Sequence, residues 1–187
     1  MCGEDRQIVQ AAGLMLILFV AVSTVLSLVL PDSGESYPPA MTMLADFVAA
    51  AVPSIDGFAA VSAFPVATKM FLAVQWLLVP AIAVLISRYP SLVQPNQRTL
   101  RRFSRFKVCL LLMAVGALFV IYPATMIVQP EDLANRVGRA RMLARVSESR
   151  LWMGLIGSSV IFSAAYWIAL LNSYVRALFF GPRLQGD

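Results

Sequence analysis

Lys69 lies inside an otherwise uncharged apolar run from Phe64 to Ser87. A charge at mid-membrane costs about 2.5–3.5 kcal/mol on insertion scales, and less near an interface. Lys69 is about one turn from the start of the run. Its ammonium therefore either snorkels to headgroups or meets an acid of the preceding loop, with Asp46 and Asp56 as the candidates. A second set of cations, Arg136, Arg139, Arg141 and Arg145, falls between Pro130 and Arg150. Arginines at this density suit recognition of an acidic partner. The chain offers little else for chemistry. It has no histidine and only two cysteines, Cys2 and Cys109, so no zinc-ligand spacing and no Ser-His or Cys-His pair can be assembled. Ser158, Ser159 and Ser163 lack a candidate base. No P-loop, dinucleotide fingerprint or H-E-x-x-H occurs. These residues point to a non-enzymatic binding protein with no cofactor and no metal.

The elements that must hold these residues follow from composition. Of 187 residues, 59% are hydrophobic and 13% charged, against roughly 45–50% apolar and about 25% charged in a soluble domain. A soluble fold of this size cannot hide so much apolar surface. Four runs are long enough to cross a bilayer: 8–30, 64–87, 108–129 and 151–175. The first holds 23 residues, about 34 Å as a helix. It is longer than the roughly 7–15-residue core of a signal peptide, and no A-x-A site follows it, so it reads as an uncleaved anchor. No Asp or Glu lies in any run, and no internal repeat is visible. Both absences argue against a transporter, a pump or an intramembrane protease. The expected fold is an all-α membrane protein over 1–187, a single domain. It is a four-transmembrane-helix bundle with short amphipathic helices in its two outer loops. Small residues (Ser23 and Ser27 in the first run; Gly154, Ser158, Ser159 and Ser163 in the fourth) suit close helix packing in lipid. Pro80 and Pro123 should kink their helices. Tyr89, Trp152 and Tyr174 suit interfacial anchoring.

Loop charges orient the bundle. Residues 88–107 contain six bases and no acid, whereas 31–63 contain four acids and no base. The positive-inside rule places the first loop and both termini in the cytoplasm, as in a multi-pass protein of a bacterial inner membrane. The net charge of +5 is then accounted for by bases beside the spans meeting lipid headgroups, with no nucleic-acid partner implied. The loop 130–150 resists the rule, because alternation places its five arginines outside. Within 31–63, Met41, Leu44, Val48 and Ala51 share helical spacing and predict a helix that Pro53 stops, lying on the bundle or in the interface. Within 130–150, Glu131 and Asp132 suit a first helical turn. Leu133, Val137, Ala140 and Ala144 form a narrow apolar stripe, and the arginines project in several directions.

Four local features carry a family resemblance: Pro53-Ser54-Ile55 in the first outer loop, Pro65-x-x-Thr68-Lys69 opening the second span, Gly138-Arg139-x-Arg141 before the last span, and the basic, acid-free loop 88–107. With the four-span layout, the chain resembles the immunity proteins for pore-forming colicins of the colicin A type. The resemblance implies a small inner-membrane protein that meets a toxin's pore-forming domain and prevents its helices from opening a channel. On the matched positions it implies toxin contacts at Lys69, Arg139 and Arg141. The Arg-rich, acid-containing segment 131–150 goes beyond that family's pattern. Two other readings remain: an accessory or assembly subunit of a larger membrane complex and, disfavoured, a small transporter or channel. The expected partners are membrane lipids and a protein at the outer face.

Overall fold

The computed structural model describes residues 3–89, 92–93, 105–126, 128 and 139–179; within these, the side chains of 3–12, 105–106 and 139–140 are left aside. The described residues are helical and contain no strand. Three long helices follow three of the apolar runs. α1 is Gly3–Val29 and α4 is Pro65–Ser87, with Pro65 in the first turn where its missing N–H costs nothing. α7 covers Arg150–Phe179 and widens into a π-helical turn at Met153–Gly157. α5 comprises Arg105–Gly116, a π-helical turn Ala117–Ile121 and a last turn Tyr122–Thr125. Pro123 cannot donate to the helical ladder, and the π turn lies directly before it. The third apolar run accordingly stops being helical at Thr125 rather than at Gln129, with Met126 extended at φ −67° and ψ 111°.

Among the described residues, three helices are long and apolar enough to cross a membrane: Pro65–Ser87, Lys107–Thr125 and Arg150–Phe179. The apolar stretch Gly13–Val29 of α1 stands beside them as a shorter segment. A further pair, α2 (Pro39–Ala51) and α3 (Ser54–Val61), would pass together but bends by 113° between its halves.

The tightest part of the bundle is α1, α4 and α7. Val79, Ala83 and Ile86 of α4 pack on Ile161, Ala165 and Ala169 of α7. Gly154 of α7 meets α1 so closely that a Cβ there would lie 2.6 Å from the Thr24 Cα and 2.5 Å from the Ser27 Oγ. Small residues thus bring two backbones together where lipid supplies no hydrophobic drive. Ser159 and Ser163 do not share this role; their hydroxyls donate to the carbonyls of Leu155 and Ser159 on their own helix. α5 is peripheral. Its N-terminal half packs Val108 and Leu112 on Leu178 of α7, yet only 11% of the span is buried, against 39% for α4 and 33% for α7.

α2 and α3 lie on the first turns of α4. Ala45, Val48, Ala49 and Ile55 pack on Met70 and Ala73. The buried face of α2 is therefore not the stripe expected from spacing. Met41 and Leu44 are exposed, as are Met43 and Phe47, and Ala51 is also outward. In an apolar environment the smallest side chains turn inward, because they allow close approach, while bulky ones meet lipid at no cost. α6 (Arg139–Glu148) buries Leu143, Ala144 and Val146. The expected helix start and the stripe residues Leu133 and Val137 lie outside the described residues.

Candidate functional site

One end of the bundle gathers most of the described polar contacts that join different helices. α1 and α5 finish there, α4 and α7 begin there, and α2, α3 and α6 cover it. Each junction is tied by a specific bond. Asp32 follows α1, and its Oδ1 accepts from the Ala67 N–H at 3.0 Å, satisfying a donor that the first turn of α4 leaves open. Arg150 opens α7. Its Nη1 donates to the Leu30 carbonyl at 2.6 Å, its guanidinium lies 5.3 Å from the Phe64 ring centre, and its own carbonyl accepts from Ser27 Oγ at 2.9 Å. Tyr37 donates to the Pro31 carbonyl at 2.6 Å. Burial raises its phenol pKa above the ordinary value; the Arg150 charge opposes this and Asp32 reinforces it. Ser62 shares a 2.7 Å hydrogen bond with Thr68, and the Ala63 N–H donates to the Ser147 carbonyl at 2.9 Å, joining α6 to the α3–α4 connection.

Lys69 is part of this lacing. Its Nζ lies 2.8 Å from Asp46 of α2 and 2.9 Å from Asp56 of α3. Both anticipated carboxylates hold it at once, and both are themselves exposed. In water each exposed pair contributes about 0.2–1 kcal/mol. Here one ammonium fixes both arms of the bent pair to α4, so the side chain is immobilised once for two contacts. Lys69 is therefore engaged within the protein.

The arginines behave differently. Arg141 and Arg145 are exposed on α6, one turn apart, and among the described residues neither is in an ion pair. They line one open depression with Met142, Trp152 and Ile156, so these two point to the same side. The Arg145 guanidinium lies 5.5 Å from the Trp152 ring centre, a cation–π contact. Arg139 begins α6 but its side chain is outside the described set, and Arg136 lies outside the described residues altogether. No contact joins Lys69 to Arg141 or Arg145.

Sequence reasoning missed two features. Gln75 on α4 is fully buried; its Nε2 donates to Ser23 Oγ at 3.0 Å, while its Oε1 has no partner among the described residues. An uncharged amide inside an apolar run was the available signal. The second is a cavity of about 100 Å³ between α3, α4, α6 and α7, lined among others by Phe58, Leu72, Trp76, Met142 and Met153. No group of His, Cys, Asp or Glu among the described residues is arranged to hold a metal. Compared with protein families, with curated proteins and with solved structures, the chain matches none.

Proposed function

We propose that this chain is a non-enzymatic protein of a bacterial inner membrane that confers immunity by binding the channel-forming domain of a pore-forming bacteriocin. α1, α4, α5 and α7 are its four spans, and the end covered by α2, α3 and α6 faces outward, with both termini cytoplasmic. α1 supports the count, because its uncharged part, 8–29, reaches about 33 Å as a helix. The observation that carries the proposal is the contrast between cations at that end. Lys69 and Arg150 are engaged by the chain itself, whereas Arg141 and Arg145 stand exposed on a helix fixed to the bundle. Exposed arginines on a rigid mount beside an aromatic ring are suited to an acidic, partly apolar partner surface. Bound there, a toxin helix would be held at the membrane surface instead of completing its insertion.

Expression in a sensitive bacterium, followed by challenge with a panel of pore-forming bacteriocins, tests the proposal. Protection against one class is expected, and no protection from any would count against it. The sparse burial of α5 favours a second reading, an assembly subunit that packs against another membrane protein. Copurification in mild detergent of a stoichiometric complex without toxin would select that reading.

A further inference from the structure

We infer that the cleft between α1, α5 and α7 is a binding site for one anionic glycerophospholipid. Its phosphate would lie at Arg141 and Arg145, and an acyl chain along α7. The cleft has a volume of about 490 Å³ and is walled by Val20 of α1, Phe119 and Pro123 of α5, and Leu155, Val160 and Ser163 of α7. That volume falls in the roughly 300–1,000 Å³ range of small-molecule sites. It lies beside the π turn and Pro123 of α5, and Phe119 of that turn stacks on Trp167 of α7 at 5.9 Å between ring centres.

Depth and charge identify the occupant. From Trp152 at the rim to Ser163 at the deep end, α7 advances 11 residues, about 16 Å, or half of a roughly 30 Å hydrocarbon core. The cleft is thus one leaflet deep. At its head it shares Met142 and Ile156 with the depression that holds Arg141, Arg145 and Trp152. Two guanidiniums one helical turn apart repel each other unless an anion lies between them, and arginine matches phosphate oxygens in bidentate geometry. An apolar slot one leaflet deep beneath an arginine pair and a rim tryptophan has the layout of a phospholipid. A soluble phosphate would leave the slot unfilled, and a neutral lipid would leave the arginines unanswered. The inference draws on the same two arginines as the proposed function, but its test uses no toxin, so failure of the one is distinguishable from failure of the other.

Native mass spectrometry of the full chain, released from detergent with phosphatidylglycerol or phosphatidylcholine, tests it. The expected result is one retained phosphatidylglycerol, bound roughly 10- to 30-fold more tightly than phosphatidylcholine, from two arginines at a lipid surface. In the double variant R141Q/R145Q, whose side chains are exposed, that preference should fall to within about twofold while helicity and Tm are kept. Ser159→Trp, filling the cleft wall, should reduce retention of both lipids. Equal binding of the two lipids by the unmodified chain would overturn the inference. So would a preference that survives R141Q/R145Q, or displacement by glycerol phosphate as effective as by the intact lipid. If Ser159→Trp does not fold, the comparison of the arginine variant still decides the matter.

Discussion

Lys69 Nζ lies 2.8 Å from the Asp46 carboxylate, which joins the start of α4 to the middle of α2. Asp56 completes the arrangement from α3 at 2.9 Å. Lys69→Gln should therefore loosen both arms of the bent pair together. Hydrogen exchange over residues 39–61 should accelerate by a factor corresponding to about 1–2 kcal/mol. Asp46→Asn should cost less than half as much, because Asp56 still holds the ammonium. Equal exchange in all three proteins would show that the ion pairs do not hold the pair down.

Gly154 marks the closest approach of α1 and α7. Gly154→Ala should lower stability by about 1–3 kcal/mol, because the added methyl meets Thr24 backbone that cannot swing aside. Gly13→Ala is the control. Nothing lies within 4 Å of a Cβ there, so improved helix propensity should leave stability unchanged or raised by up to about 1 kcal/mol. Thermal unfolding in one detergent compares the two directly.

Gln75 and Ser23 should be coupled. Ser23→Ala removes the one hydrogen-bond partner of the Gln75 side chain among the described residues and should cost about 1–2 kcal/mol, the penalty for a buried amide left unmatched. In a Gln75→Leu background the same serine change should cost much less. A double-mutant cycle on chemical unfolding gives the coupling, and strict additivity would contradict the assigned hydrogen bond.

Topology is open to single-cysteine labelling in a background lacking Cys2 and Cys109. Gly34→Cys and Arg141→Cys should react with an impermeant thiol reagent added outside intact cells, and Arg88→Cys only after permeabilisation. Labelling of position 141 from the cytoplasmic side alone would remove the premise of an outward arginine face.

These residues also show what a sequence can and cannot disclose here. The long apolar helices and the start of α4 at Pro65 were legible, because bilayer thickness fixes helix length and Pro65 fixes a first turn. Lys69 was legible as a cost requiring an answer, and both acids that answer it were visible. The inward face of α2 was not. In a soluble helix the large apolar residues point inward. On α2, Met43 and Phe47 point outward and Ala45 and Ala49 inward, so hydrophobic spacing cannot distinguish core from lipid. Arg150 to Leu30 and Asp32 to Ala67 were also hidden, because each joins residues distant in the chain through a single backbone group. The sequence reading let the arginines project in several directions; that Arg141 and Arg145 line one depression, and that neither is in an ion pair among the described residues, needed the packing of α6.

A pore-forming toxin is proposed to dock at the end of the bundle presenting Arg141 and Arg145. Site-specific photocrosslinking in living cells challenged with a toxin they resist tests it most directly, with the crosslinker placed at position 141 or, at the opposite end, at position 88. The account predicts a covalent adduct with the toxin's channel-forming domain from position 141 and none from position 88. Adducts from position 88 alone, or protection that persists with no adduct at 141 and is unaffected by R141E/R145E, would contradict it.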